Sequence, residues 1–275
     1  MKNILRMSLN QWIQKRSRVI NPVPQDNTLR VIKNKMKIYM DEAWRGPLYG
    51  PLHIGIVSNI WISEKLLKKH LLFQDSKALT PKKREEAFSE IMDLKKQEKI
   101  LCEIGTISSE MIDTFWVTRA INLAVIKALY FMLISILSER KKKKITIDDV
   151  KKLVSKYEEK FNDNIELIFD WKSDFWIWKD LGVKTSRIVH WDASCVQIAM
   201  ASILAKVSRD HILDKVWEQY PNYWFEKHKG YWTKLHYAKI EEYWVLPEHR
   251  KLFLKKIFPE RKIQKYNKDY IISLS

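Results

Sequence analysis

Carboxylates stand at the ends of three predicted strands of this chain, namely Asp41, Glu42, Asp170 and Asp192. Active sites of α/β sheets gather at the carboxyl ends of strands, so we expect these side chains to converge. Taken singly, each acid is better explained as a cap or turn residue, but three coincidences in one basic chain favour a common site. Converging carboxylates repel one another unless cations neutralise them, and oxygen ligands alone suit Mg²⁺ or Mn²⁺ rather than zinc. Two such ions can activate water and stabilise the leaving oxygen of a phosphodiester.

The segment that follows the first two acids has the composition of a ligand-binding turn. Arg45 supplies a guanidinium that suits phosphate, and Gly46 allows the backbone to approach a ligand closely. Adjacent residues of a regular strand point to opposite faces, so joint use of Asp41 and Glu42 predicts a strand that has already begun to turn. Trp44 is a bulky indole in the middle of this turn.

Composition limits the classes of partner. The 275 residues carry a formal net charge of +17, which indicates a polyanion such as nucleic acid, and an anionic membrane surface is the lesser option. A generally lysine-rich proteome would explain the charge without any partner. Cys102 and Cys195 form neither a disulfide framework nor a zinc pattern, which favours a reducing cytosol. The most apolar stretch, residues 128–137, is too short to span a bilayer.

Hydrophobic periodicity predicts an α/β domain with a mixed five-stranded sheet flanked by helices. The predicted strands cover residues 36–40, 52–60, 99–107, 165–169 and 187–190. The predicted helices cover residues 81–96, 109 onward, 146–161, 194–218 and 233–243. Thr80 is the expected N-cap of the first helix, and the apolar face of the second includes Trp116.

Seven segments, in order along the chain, resemble motifs of bacterial type 2 ribonuclease H, the ribonuclease HII family. They are residues 41–48, 75–79, 170–171, 191–193, 201–210, 220–225 and 228–233, and His249, Arg250 and Phe253 match the closing motif. One short motif would be weak evidence, but this many in order is specific. The resemblance covers about residues 36–255. It therefore implies a basic N-terminal arm at 1–35, a catalytic domain at 36–255 that ends in a helical section, and a basic tail at 256–275.

The resemblance also implies a function. Such a protein is a ribonuclease H-like endonuclease that hydrolyses the RNA strand of RNA–DNA hybrids and cuts 5′ of ribonucleotides embedded in duplex DNA. Two metal ions, Mg²⁺ or Mn²⁺, would leave 3′-hydroxyl and 5′-phosphate ends. The catalytic metal ligands would be Asp41, Glu42, Asp170 and Asp192. A cytoplasmic monomer with no membrane partner is the expected form.

Substrate contacts follow from the same resemblance. The turn formed by Trp44, Arg45 and Gly46 would contact the ribose 2′-hydroxyl. Ser76, Lys77 and Lys229 would bind backbone phosphates. Tyr231 would pack at the RNA–DNA junction. A core role for Tyr231 is the alternative, but its polar loop favours contact. Ser202, Lys206 and Arg209 share one helix face and have either a structural or a supporting role. For His228 in the loop, a phosphate-binding or loop-packing role is favoured over a part in the chemistry.

Tryptophan and glycine occur in unusual numbers, with 12 Trp and only 6 Gly. Average usage predicts about 19 glycines in a chain of this length. Where the family has, or often has, glycine, this chain has Trp44, Trp171, Trp191, Trp224, Trp232 and Trp244, and glycine is also plausible at Trp116, Trp176 and Trp178. One cause explains them all, because UGA encodes tryptophan in one alternative genetic code and glycine in another. Our hypothesis is that most of these tryptophans are glycine in the cell.

Two other functions stay open at this level. If the tryptophans are real, the chain is a catalytically impaired relative that binds nucleic acid through Lys77, Lys229 and Tyr231 while Trp44 blocks the sugar. Another nuclease of the fold superfamily, such as a resolvase, is a further option. The motifs at 75–77 and 228–231 argue against a resolvase.

Overall fold

A computed structural model describes residues 35–43, 45–59, 62–67, 79–142, 144–161, 164–170, 180–188, 195–254 and 272–273. Its strands are β1 (Met36–Ala43), β2 (Leu52–Ser58), β3 (Leu101–Ile107), β4 (Lys144–Ile145), β5 (Ile165–Phe169), β6 (Lys184–Arg187) and β7 (Ile272–Ser273). Its α-helices are α1 (Glu64–Leu67), α2 (Pro81–Lys96), α3 (Ser109–Leu137), α4 (Ile147–Phe161), α5 (Val196–Gln219), α6 (Phe225–His228) and α7 (Lys234–Tyr243). A 3₁₀ turn at Pro221–Tyr223 joins α5 to α6.

The main sheet is mixed and has five strands in the order β3-β2-β1-β5-β6, as the sequence predicts. β1 is the central strand, because it pairs antiparallel with β2 and parallel with β5. β2 pairs antiparallel with β3, and β5 pairs parallel with β6. A separate two-stranded ladder joins β4 to β7, which lies in the predicted basic tail. The central position of β1 places its acidic end in the interior of the sheet.

Most predicted elements are confirmed, including α2 with Thr80 as its N-cap, whose hydroxyl oxygen accepts a hydrogen bond from the Lys83 N–H at 3.3 Å. The fifth strand is the main error. β6 covers Lys184–Arg187, so it begins three residues earlier than predicted, and Ile188 is already outside the strand. Residues 189–190 of the predicted strand lie outside the described residues. Hydrophobic periodicity did not predict β6 because its sequence is polar. β6 is an edge strand, which pairs on one side only and tolerates exposed polar side chains.

α3 is the core helix on one face of the sheet. It packs with inward-facing residues of β1 and β2 such as Ile38, Met40 and Ile54. By length and composition α3 could cross a membrane, but most of its apolar stretch is buried within the domain. Trp116 departs from the prediction, because its φ of 65° interrupts the helix and its side chain is exposed rather than on the buried face.

α5 covers the opposite face of the sheet together with α2. Two strand glycines allow α5 and α3 to approach the sheet closely from its opposite faces. A Cβ on Gly55 would lie 2.1 Å from the Ala201 carbonyl oxygen of α5, and one on Gly105 would lie 1.8 Å from the Ala124 oxygen of α3. These approaches fix the spacing between the sheet and its helices.

The helical C-terminal section packs against the turn that follows β1. Leu48 and Tyr49 of that turn form a buried cluster with Leu213, Tyr223 and Phe225, together with Ile240 and Leu254. An isolated bridge joins Tyr49 to His249, which lies about 200 residues further along the chain. The C-terminal section therefore completes the neighbourhood of the acidic strand end.

We predict that Gly105→Ala lowers the free energy of unfolding by about 1–3 kcal/mol or more, because the new methyl group would overlap helix backbone that cannot move away. Urea denaturation measures the change. Gly182→Ala is the control, since its Cβ would meet nothing within 4 Å and only its positive φ of 74° resists the change. Equal effects of about 1 kcal/mol at the two positions would contradict the close approach.

Candidate active site

Asp41 and Glu42 lie within the regular part of β1, not after its end. They pair with Gly55 and Ile54 of β2, and the pairing continues to Ala43. The expectation that the strand has already turned at this point is therefore wrong. The parallel pairing of β1 with β5, in contrast, ends just before Asp41, since its last registered pair is Met40 with Phe169.

The end of that parallel ladder brings two acids next to each other. Asp41 and Asp170 each follow the last registered pair, and neighbouring strands lie about 4.8 Å apart. The Asp41 carboxylate also turns along the strand, since its Oδ1 accepts a hydrogen bond of 2.8 Å from the Glu42 N–H. Three predicted metal ligands thus start from adjacent backbone positions.

Glu42 is the most perturbed acid of this group. Its Oε1 lies 2.6 Å from Nε of Arg45, while its Oε2 is buried and has no hydrogen-bond partner among the described residues. Burial and the neighbouring Asp41 charge raise the pKa of Glu42 to about 8, against the opposing effect of Arg45. A buried carboxylate oxygen without a donor, beside a second carboxylate, fits a divalent cation.

The fourth predicted ligand, Asp192, lies outside the described residues. Within the described ranges, no three His, Cys, Asp or Glu side chains are close enough together to hold a metal ion. Asp41, Glu42 and Asp170 therefore do not form such a group by themselves, and the convergence of all four acids stays a prediction. Trp44, Ser76 and Lys77 also lie outside the part of the chain that the structure describes.

Arg250 holds the turn that contains Arg45 and Gly46. Its buried guanidinium donates hydrogen bonds to three carbonyl oxygens, those of Arg45 at 3.1 Å, Gly50 at 2.9 Å and Pro51 at 3.1 Å. Its own backbone N–H donates to the Leu48 oxygen at 2.7 Å. Burial lowers the pKa of Arg250 to about 9, against the opposing effect of the Asp113 charge.

A second buried arginine ties the turn to the loop at residues 228–233. Arg209 donates to the Tyr49 carbonyl at 2.8 Å and to the Lys229 carbonyl at 3.2 Å. Leu48 N–H donates to the Gly230 carbonyl at 2.7 Å, which closes the same contact. The structure thus gives Arg209 a structural role, which was one of the two alternatives from sequence.

Histidines hold the loop from its other side. Leu246 N–H donates to His249 Nδ1 at 2.8 Å, closer than the 3.3 Å contact of that nitrogen with the Leu246 oxygen, so the neutral His249 ring carries its proton on Nε2. That proton points to His236 Nε2 at 3.1 Å, and His236 Nδ1 then donates to the Tyr231 carbonyl at 2.9 Å. Burial lowers the pKa of both histidines to about 3, which keeps this chain of hydrogen bonds neutral.

The predicted substrate residues of the loop are only partly buried. Tyr231 is 43% exposed, so its ring is not part of the core, and Lys229 forms an ion pair of 2.8 Å with Asp214. His228 is buried and bonded to the Tyr223 carbonyl at 2.8 Å and to Gly230 N–H at 3.1 Å, which is a loop-packing role. Trp232 donates its indole N–H to the Gly46 carbonyl and so reaches the turn.

Sequence reasoning assigned no role to His53, His236 or Arg250. His53 pairs with Ala43 across the strands, is fully buried, and has no hydrogen-bond partner for either ring nitrogen among the described residues. Burial, with smaller effects from Arg209 and Arg250, lowers the pKa of His53 to about 3. The sequence motif at His249 and Arg250 indicated that these residues matter to the fold or the site. A motif alone does not show which carbonyl oxygens the Arg250 guanidinium contacts.

The mixed sheet with an acidic central strand and helices on both faces defines a ribonuclease H-like nuclease. The sequence model of the ribonuclease HII family matches residues 38–258. This chain belongs to that family of type 2 ribonuclease H enzymes.

Comparison with individual proteins of this family gives the same assignment. Ribonuclease HII of Clostridioides difficile (strain 630) is 34% identical over 218 residues, covering 79% of this chain and 69% of that protein. Ribonuclease HII of Caldicellulosiruptor saccharolyticus is 34% identical over 221 residues, covering 79% and 86%. The crystal structure of ribonuclease H2 from Pyrococcus horikoshii OT3 has the same fold, with a TM-score of 0.54 at 22% identity, covering 82% of this chain and all of that one.

We predict that Arg250→Lys lowers the free energy of unfolding by about 1–3 kcal/mol, since one ammonium group cannot reach three carbonyls that the guanidinium fork satisfies. Faster hydrogen exchange at residues 45–51 should accompany the loss. Arg140→Lys on the exposed surface is the matched control and should change neither quantity. An unchanged exchange rate in Arg250→Lys would show that other contacts hold the turn.

We predict that Glu42→Gln stabilises the metal-free protein at alkaline pH. A folded-state pKa of about 8, raised from 4.5, means that folding disfavours the ionised form. The cost of Glu42 is therefore absent below pH 4.5, grows as pH rises towards 8, and is constant above that, on the order of a few kcal/mol. Thermal unfolding of both proteins from pH 4 to 9 should show their Tm values diverge across this window.

Glu159→Gln on the surface of α4 is the control for the loss of a carboxylate. Addition of Mg²⁺ at pH 8 should raise the Tm of the wild-type chain more than that of Glu42→Gln. A constant Tm difference between the two across the whole pH range would contradict the raised pKa.

Proposed function

We propose that this protein is an endonuclease that hydrolyses the RNA strand of RNA–DNA hybrids and cuts 5′ of ribonucleotides embedded in duplex DNA. The observation that carries the proposal is the Asp41–Glu42 pair on the central strand, beside Asp170, with a buried and unpartnered oxygen on Glu42. Membership of the ribonuclease HII family supplies the substrate class. The products would carry 3′-hydroxyl and 5′-phosphate ends.

The acids of this strand end would hold the metal ions of a two-metal-ion mechanism, with Asp41, Glu42, Asp170 and Asp192 as ligands. Oxygen donors alone, one of them without a hydrogen-bond donor, suit Mg²⁺ or Mn²⁺. When bound, the ions would supply charge stabilisation for the phosphoryl oxygens and lower the pKa of the attacking water. Glu42 binds them in its ionised form, which its raised pKa makes pH-dependent.

The turn and the loop would bind the substrate next to these acids. Arg45 and Gly46 lie directly beyond β1, and the Arg250 contacts fix their backbone for reading a ribose 2′-hydroxyl. Tyr231, which is exposed on a loop anchored by His236, would pack at the RNA–DNA junction. Lys229, Ser76 and Lys77 would bind phosphates.

A second candidate function has one observation in its favour. The Trp232 indole hydrogen-bonds the Gly46 carbonyl and so occupies the turn that would meet the sugar. If the indoles of Trp232 and Trp44 are both present in the cell, a catalytically impaired nucleic-acid-binding relative is the better description. We further infer that the protein acts as a cytoplasmic monomer without a membrane partner, with residues 36–255 as its catalytic domain.

We predict that Asp41→Asn lowers cleavage of a duplex with one embedded ribonucleotide by about 10²–10³-fold or more, because the amide cannot replace a charged metal ligand. Binding of the same duplex should persist, since the shape is kept and a negative charge is removed. Single-turnover cleavage in Mg²⁺ and in Mn²⁺ measures the first quantity, and fluorescence anisotropy in Ca²⁺ measures the second.

Asp148→Asn, on the exposed start of α4, is the matched control and should cleave like the parent chain. Full activity of Asp41→Asn would exclude the proposed site. Binding without cleavage by the parent chain itself, in either metal, would favour the impaired relative instead.

A further inference from the structure

Every tryptophan that the structure describes is at least 40% exposed. These residues are Trp116, Trp217, Trp224, Trp232 and Trp244, with Trp244 reaching 73%. Tryptophan carries the largest apolar side chain and is highly buried on average in folded proteins. The buried core of the described residues contains tyrosine and phenylalanine but no tryptophan. None of these five indoles therefore belongs to the buried core, although the Trp232 indole contacts the Gly46 carbonyl and the Phe253 ring.

The backbone at three of the five has a positive φ. Trp116 has φ 65° and ψ 159°, and Trp244 has φ 68° and ψ −174°. This combination belongs to a region that is populated almost only by glycine, because a Cβ clashes there. Trp224 has φ 57° and ψ 39°, the left-handed helical conformation that costs an L-residue strain.

The local structure at each position calls for such a conformation. Trp244 ends α7, where its N–H donates to the Ile240 carbonyl at 2.8 Å. Trp224 ends the 3₁₀ turn and starts α6. Helices commonly end on a left-handed residue, and glycine is the usual one. Trp116 interrupts α3 between its first two turns and its long buried segment.

Glycine already fills this role elsewhere in the chain. Gly50, Gly182 and Gly230 have positive φ values, and the six other residues with positive φ include three tryptophans. Bulky aromatic residues at positive φ are genuine outliers, whereas polar residues such as Lys229 and Ser138 are tolerated better. Tryptophan thus accounts for three of the six non-glycine residues with a positive φ among the described residues.

We propose that positions 116, 224 and 244 carry glycine in the protein that the host cell makes, each encoded by a UGA codon that is read as glycine. One codon assignment then accounts for two independent observations. The backbone conformation at these positions is the first, and the composition of 12 Trp against 6 Gly is the second. Neither observation depends on the proposed nuclease activity.

An aromatic docking surface is the competing explanation of the exposed indoles. Lys239 lies over the rings of both Trp224 and Tyr243, so these rings are close together in the fold, and Trp244 follows Tyr243 directly in the chain. A binding partner would explain why the rings are exposed, but it would not explain why the backbone of these residues has a positive φ. Since the backbone of Trp116 and Trp244 is in the glycine region, glycine explains more of the structure.

The coding DNA and the mass of the host protein test the proposal directly. We expect TGA at codons 116, 224 and 244, and TGG at these codons would overturn it. Where TGA is found, peptide mass spectrometry of the protein from its own cells decides between the two readings. Glycine masses at the three positions support the proposal, and tryptophan masses overturn it.

Recombinant variants supply a second, physical test. Trp116→Gly, Trp224→Gly and Trp244→Gly should each raise Tm by about 2–4 °C relative to the parent chain, because the backbone strain disappears and no core side chain is removed. Trp217→Gly is the matched control, since Trp217 is exposed to a similar degree but lies in the regular helix α5.

The control should lower Tm, because glycine weakens a helix interior. A fall in Tm for all three test variants, similar to that of Trp217→Gly, would overturn the proposal. The measurement requires no substrate, so its outcome is separate from that of the proposed nuclease function.

Discussion

The burial of Glu42 beside Asp41 on the central strand is the constraint on which the rest of the site depends. Two adjacent carboxylates in the interior of a sheet are electrostatically unfavourable, and the pKa of Glu42, about 8, expresses that cost. β1 cannot avoid it, because pairing with β2 keeps both residues in the strand while pairing with β5 stops one residue earlier. Arg45 offsets part of the repulsion, and the unpartnered Oε2 leaves room for a cation.

Buried cations hold the surroundings of this strand end in place. Arg209 and Arg250 donate to backbone carbonyls of the turn, of residues just beyond it and of the loop. A guanidinium fork is suited to this, because it presents several donors in a fixed plane. The neutral pair His236 and His249 extends the support to Tyr231. The helical C-terminal section thus acts as a scaffold for residues that lie about 200 positions earlier.

Glycine at positions 224 and 244 would remove strain at the edges of this scaffold without disturbing it. Trp224 and Trp244 end short elements that flank the loop, and neither contributes to the buried cluster around Tyr49 and Phe225. The strand glycines Gly55 and Gly105 are different, because their lack of a side chain sets the distance between sheet and helices. The chain therefore uses glycine for two purposes, close packing between sheet and helices and turns with a positive φ.

The sequence by itself determined the local elements and the positions of the acids. Alternating apolar residues defined β1, Thr80 before Pro81 defined the start of α2, and ordered motifs identified the family. It misplaced β6, because Lys184–Arg187 is polar and its strand character comes only from pairing with β5. Tertiary structure alone decided the raised pKa of Glu42, the carbonyl contacts of Arg250 and the backbone conformation of Trp116. These depend on burial and on partners as far as 205 residues apart, such as Arg45 and Arg250, and spacing along the chain carries no information about such contacts.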